Sequence, residues 1–144
     1  MLKAGLIGHK GACGKELLKL LPTPPKLFSR NDALDFSGLD VLFMAISSKE
    51  TPEIAQKALI EGLFVIDLSS AFRQDSSLPL VLPPVNLSVI NNSLKLISLP
   101  NCVVSILLTA LAPLTKESKL KKMFISTYQA ASGAGKVGLK AIDS

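Results

Sequence analysis

In Leu99-Pro100-Asn101-Cys102 a cysteine follows Pro-Asn, and an apolar run from Val103 to Leu114 begins directly behind it. If Cys102 opens a helix, the positive end of that helix faces the sulfur, an arrangement that favours a nucleophilic thiolate. Asn101 then stands as the cap, or as a side-chain donor beside the nucleophile. Burial as a small hydrophobe is the commoner fate of a lone cysteine next to an apolar run. Spacing alone therefore favours packing over catalysis. The other cysteine, Cys13, lies inside a glycine-containing segment, where tolerance suffices to explain it. With no export signal, the two read as free thiols and not as a disulfide.

Three further segments have residue types suited to chemistry. Gly8, Gly11 and Gly14 are spaced G-x-x-G-x-x-G between an apolar run and a leucine-periodic one. Glycines at a first strand–helix junction permit a tight turn and a close approach of backbone to pyrophosphate, which the helix N-terminus then faces. In Val65-Ile66-Asp67-Leu68-Ser69-Ser70-Ala71-Phe72-Arg73, an apolar strand ends in polar residues. That is the carboxyl edge of a parallel sheet, where ligands bind. Arg73 is placed there to grip an anion, or alternatively to pair with Asp67 or Asp75. In Ser126-Thr127-Tyr128-Gln129 followed by Ala130-Ala131-Ser132-Gly133, a glutamine that can donate to a carboxylate or carbonyl precedes a small-residue turn.

These groups need a frame. Apolar runs at 2–8, 40–46 and 63–68 have strand length, and 26–29 is a short second strand. Helical spacing covers 14–21 and 47–62. Ser47 and Glu50 have capping-box spacing, Thr51-Pro52 offers another first turn, and Gly62 sits past the end. The order is β-α-β-β-α-β, which argues for an α/β fold with a mainly parallel sheet. A loop-rich stretch with three prolines follows, then a strand at 94–99, a helix from 102 to about 114, a strand at 122–130, and the start of another helix.

Composition narrows the function classes. The chain has 144 residues, 48% hydrophobic, and a net charge of +5, which suits a globular domain with a sizeable core. No run of basic residues is interleaved with aromatics, so nucleic-acid binding has no support. No apolar segment of about 18 residues escapes charge or proline, which argues against a membrane span. Only two of the sixteen Lys and Arg residues are arginines, Arg30 and Arg73. Ser29 and Arg30 fall at the end of the second strand, where NADP binders place an arginine and NAD binders an acid. That position predicts NADP preference, although Asp32 is close by and a surface arginine is the plainer reading.

Taken together, the segments 5–14, 67–73, 79–86, Pro100-Asn101-Cys102 and 125–135 resemble, in order, those of aspartate-β-semialdehyde dehydrogenases. The N-acetyl-γ-glutamyl-phosphate reductases share the architecture and are the alternative family, and a non-catalytic nucleotide-binding module is the alternative class. The resemblance implies a Rossmann-like NADP-binding domain over 1–100 and the start of an α+β catalytic and dimerisation domain over 101–144. It implies Cys102 as nucleophile and Gln129 as the residue orienting substrate beside it. Arg73 and Asn101 then bind phosphate or substrate. Gly8, Gly11, Ala12, Cys13, Gly14, Ser29, Arg30, Ser47, Ser48, Asn86, Ser132 and Gly133 contact NADP. No metal is implied.

The implied reaction is reductive dephosphorylation of L-4-aspartyl phosphate to L-aspartate-4-semialdehyde, in the biosynthesis of lysine, threonine and methionine. A cytoplasmic homodimer or homotetramer is expected. Family members usually carry Ser-Thr after the cysteine and Pro-Glu-Val-Asn in the proline segment. Here Val103-Val104 and Pro84 stand instead. The family's general base is a downstream histidine, whereas the one histidine of this chain is His9, in the glycine segment. The sequence is therefore expected to be part of a longer protein, without turnover by itself.

Overall fold

A computed structural model describes residues 1–29, 32–134 and 138. Its elements are β1 (Ala4–Ile7), α1 (Ala12–Leu20), β2 (Lys26–Phe28), β3 (Val41–Met44), α2 (Thr51–Ile60), β4 (Phe64–Asp67), α3 (Pro83–Asn86), β5 (Leu96–Ser98) and α4 (Cys102–Glu117). Short 3-10 turns occur at Leu87–Val89 and Ala131–Ala134. The chain divides into two compact units, Met1–Asn101 and Cys102–Ser144.

The first unit is an α/β domain. Its five strands are all parallel, in the order β2-β1-β3-β4-β5. Strands buried on both faces read as continuous apolar runs, so Leu6, Ile7, Leu42, Met44 and Val65 were visible as strand residues and are all buried. The chain leaves β1 towards β2 on one side and takes up β3 on the other. That reversal makes the carboxyl end between β1 and β3 a topological switch point, the usual ligand crevice of such sheets.

One cross-sheet row runs Phe28, Ile7, Met44, Asp67, Ser98. The first three are core, packed with Phe36 and with Ala55 and Ala58 of α2. The row turns polar as it passes onto β4 and β5, and Asp67 and Ser98 are buried there.

The β2–β3 connection is pinned to the sheet edge. Lys26 donates to the Asp35 backbone oxygen at 2.7 Å and to its carboxylate at 3.1 Å. The Ser37 hydroxyl, then its N–H, then Lys26 hold the Asp35 carboxyl down at about 2. At α2 the Ser47–Glu50 pair meets side chain to side chain at 2.6 Å, so the serine hydroxyl does not cap the helix. Glu50 is the N-cap residue, without a side-chain cap bond, and Pro52 lies in the first turn. The Thr51-Pro52 start is the one the chain uses.

In the second unit, α4 runs through Pro113 to Glu117, three residues beyond the expected end. The strand expected at 122–130 is not formed, and residues 119–130 have no regular structure. Phe124 and Tyr128 are almost fully exposed. A strand exists only where a neighbour takes its N–H and C=O groups, and none of the described residues pairs with this run. The helix expected next falls outside the described residues, apart from Gly138. Among the described residues, no helix is long and apolar enough to cross a membrane.

Candidate functional site

The glycine segment is a tightly packed junction. Gly8 ends β1 with φ +88°, a left-handed conformation. A Cβ on it would lie 2.1 Å from the Ala45 carbonyl oxygen, in the loop after β3. Gly14 is buried in the first turn of α1, and a Cβ there would lie 2.2 Å from the Gly8 oxygen. These two glycines let α1 and the loop after β3 close onto the end of β1.

Gly11 is different. It is the N-cap of α1 with an ordinary φ of −76°, and a Cβ would meet only the Gly8 oxygen at 3.4 Å. Its N–H donates to Gly8 at 3.0 Å, closing the turn. No side chain caps α1, and the first-turn amides of a helix have no intrahelical acceptor. Ala12 and Cys13 are exposed in that turn. A glycine-built cradle under an uncapped helix start suits a pyrophosphate.

The loop after β2 and the segment leading into α2 line a cleft of about 580 Å³. Asp32 and Leu34 line it after β2, and Lys49, Glu53, Ile54 and Lys57 line it around α2. Ser29 sits at the end of β2, where its N–H donates to the Asp32 carboxylate at 2.6 Å. The Arg30 expectation lies outside the described residues. Ser47 and Ser48 are exposed at the start of the loop that leads to Lys49. Lys49 is a cleft residue that no sequence motif marks. Its position directly after the serine pair was the available signal.

At the carboxyl ends of β4 and β5, Arg73 forms neither of its alternative ion pairs. Asp75 bonds Ser77 instead. The Arg73 guanidinium donates from Nε to the Leu99 oxygen at 2.9 Å and from Nη2 to the Leu68 oxygen at 3.2 Å. It ties together the segments leaving β4 and β5 and retains further N–H groups, since a guanidinium has five. Asp67 organises the same place from below. Its Oδ1 accepts from the Ser69 N–H at 2.8 Å, and the Ser69 hydroxyl accepts from the Ala71 N–H at 3.0 Å. Asp67 Oδ2 and the Ser98 hydroxyl are buried, with no partner among the described residues.

Removing a buried acceptor while leaving its donor costs roughly 1–3 kcal/mol. Asp67→Ala is accordingly expected to lower stability by about 2 kcal/mol. Asp67→Asn keeps an oxygen for Ser69 and should cost clearly less. Urea midpoints of the two variants check this, and equal losses would remove the Ser69 contact as the cause.

Asn86 uses its carboxamide on its own loop. Oδ1 accepts from the Leu82 N–H at 2.8 Å and Nδ2 donates to the Leu80 oxygen at 2.9 Å. The structure thus gives Asn86 a loop-closing task that sequence alone had not suggested. Asn101 is exposed immediately before α4. In the second unit Cys102 is the first residue of α4 and is exposed, not buried in the core. Gln129 Nε2 donates to its sulfur at 3.6 Å. Ser132 and Gly133 lie in the 3-10 turn that follows.

Residues 26–93 match the family described as semialdehyde dehydrogenase, NAD binding domain. The aspartate-semialdehyde dehydrogenase of Rickettsia conorii is 44% identical over 109 residues, 74% of this chain and 32% of its own length. The chain is similar to aspartate-semialdehyde dehydrogenases. Among solved structures, aspartate semialdehyde dehydrogenase II of Vibrio cholerae, determined in complex with ASA, superposes with a TM-score of 0.87 at 25% identity. It covers 99% of this chain and 51% of its own. The aspartate semialdehyde dehydrogenase of Francisella tularensis gives a TM-score of 0.81 at 32% identity, covering 97% of this chain and 48% of its own.

The chain thus spans about half the length of these solved relatives, and about a third of the Rickettsia protein. The semialdehyde dehydrogenase domain match begins at β2 and ends before β5. The glycine cradle and Cys102 lie outside it, and their roles rest on their own geometry.

Proposed function

We propose that the chain is the cofactor-binding and nucleophile-bearing part of an NADP-dependent aspartate-semialdehyde dehydrogenase that reduces L-4-aspartyl phosphate to the semialdehyde. The observation that carries this reading is the exposed Cys102 at the first position of a sixteen-residue helix, with the Gln129 amide on its sulfur. A helix start favours negative charge, and an N–H donated to sulfur does the same. Attack by the Cys102 thiolate on the acyl phosphate forms an S–C bond and breaks the C–O bond to phosphate, which leaves with the electron pair. Arg73 and Asn101 receive that phosphate, Arg73 through the N–H groups its two backbone bonds leave over. Gln129 orients the acyl group beside the sulfur.

Gly8, Gly11, Ala12, Cys13 and Gly14 hold the cofactor's pyrophosphate. Ser29 and Arg30 hold the 2′-phosphate, and Ser47, Ser48, Asn86, Ser132 and Gly133 border the rest. The uncapped start of α1 supports the fit, and the lack of side chains at Gly8 and Gly14 lets β1, α1 and the loop after β3 close up to form it. NADPH, when bound, supplies the hydride. The remaining parts of the reading are a cytoplasmic homodimer or homotetramer and a general base that these 144 residues do not supply, their one histidine being His9.

Titrating the protein with NADPH and NADH tests the cofactor assignment. A charged hydrogen bond to the 2′-phosphate is worth about 1.5–3 kcal/mol, so NADPH is expected to bind roughly 10- to 100-fold tighter. Arg30→Ala should erase most of that margin. Equal affinities in the parent protein would sink the assignment of NADP.

A further inference from the structure

We propose that Gly133 is a positioning residue: by carrying no side chain, it holds the Gln129 carboxamide on the Cys102 sulfur. The inference rests on the proposed role of Cys102 and adds a residue that acts on it indirectly. Conformation does not explain the glycine. The positive-φ glycines among the described residues are Gly8, Gly38 and Gly62, and Gly133 is not one of them. The space around it does. A Cβ on Gly133 would lie 2.1 Å from Gln129 Nε2, 2.8 Å from Cδ and 3.0 Å from Cγ.

All three atoms belong to one flexible side chain. An alanine is therefore accommodated without moving backbone, but only by swinging the amide away. The same Nε2 is the atom that donates to Cys102 Sγ. The turn itself is closed independently, by the Gly133 N–H on the Ala130 oxygen at 2.9 Å, so it survives the substitution. A methyl group at residue 133 thus acts on the thiol through residue 129 while leaving the fold in place.

The experiment compares Gly133→Ala, Gln129→Ala and the double variant in a Cys13→Ser background, which leaves Cys102 as the one thiol. Iodoacetamide alkylation is followed against pH, alongside the side-chain amide resonances of Gln129 in ¹⁵N-labelled protein. In the parent, alkylating Cys102 is expected to shift those resonances. In Gly133→Ala they should be displaced from the start and no longer respond. The alkylation rate near neutral pH should fall by a similar factor in the two single variants, about 3- to 10-fold for one hydrogen bond. The double variant should be no slower than Gln129→Ala, because the second change has nothing left to displace. The urea midpoint of Gly133→Ala should match the parent, which a purely structural glycine would not allow.

If the Gln129 resonances of Gly133→Ala respond as in the parent, or if the single effects add in the double variant, the inference is overturned. If the resonances move but Gln129→Ala reacts at the parent's rate, Gly133 positions Gln129 as proposed. The orienting role of Gln129 at the thiol is then what fails.

Discussion

Gly8→Ala is expected to lower stability by about 3 kcal/mol or more and to remove NADPH binding. Two independent costs meet at this residue. An alanine held at φ +88° pays of order 1–3 kcal/mol for the left-handed backbone. Its Cβ would also lie 2.1 Å from the Ala45 carbonyl oxygen and 2.6 Å from the carbonyl carbon. Those are backbone atoms at the end of β3, so no rotamer relieves the overlap. Either β1 and β3 part at the switch point or the loop turns over, and overpacking of this kind costs roughly 1–3 kcal/mol again.

The neighbours provide the comparison for Gly8. Gly14→Ala meets the Gly8 oxygen at 2.2 Å and should also be severe, without the φ cost. Gly11→Ala has an ordinary φ and a closest contact of 3.4 Å, and should lose less than about 1 kcal/mol. The expected order of urea midpoints is Gly11→Ala above Gly14→Ala above Gly8→Ala. A Gly8→Ala midpoint within error of the parent would mean the junction is not packed in this way.

This ordering was hidden in the sequence. Three glycines at equal spacing read alike as letters, and only the approach of Ala45 and the burial of the helix turn separate them. The sheet was easier to read. Its inner strands carry apolar residues on both faces, so the runs containing Leu6, Leu42 and Val65 stand out without any knowledge of topology. The run at 122–130 carries the same kind of signal and forms no strand. Apolar patterning reports what a strand could bury, not whether a partner takes up its backbone bonds.

Side-chain to backbone bonds were the least legible feature. Arg73 could be seen as an anion binder or as a partner of a nearby aspartate. Its acceptors are the oxygens of Leu68 and Leu99, which no residue type announces. By sequence, Asp67 stands only as a possible mate for Arg73. Its contact is the Ser69 N–H two residues on, a local turn at the end of a buried strand. The carboxyl end of β4 and β5 is therefore held by polar contacts to main chain. Arg73 is thereby held by main-chain oxygens and not by a carboxylate.

Cys102→Ala is expected to have the largest effect on chemistry. On the proposed mechanism it removes the atom that bonds to the acyl group, and loss of a covalent nucleophile typically costs about 10³- to 10⁶-fold in turnover. The 144-residue chain allows a sharper test than activity. Exposed to acetyl phosphate as an acyl-phosphate probe, it should gain one acetyl group by mass, located on Cys102. Cys13 is the built-in control: it too is exposed, and it lies in the first turn of a helix. A helix start and exposure are thus common to both thiols, and the Gln129 amide on its sulfur distinguishes Cys102. If acetylation divides evenly between Cys13 and Cys102, helix starts alone explain the reactivity and the site around Cys102 is not specialised. If it falls on Cys102 and is lost in Cys102→Ala but kept in Cys13→Ser, the second-unit contact is what selects the nucleophile. Since the one histidine of these residues is His9, in the glycine segment, and the proposed mechanism takes its general base to be a downstream histidine, the adduct should accumulate to one per chain without being turned over.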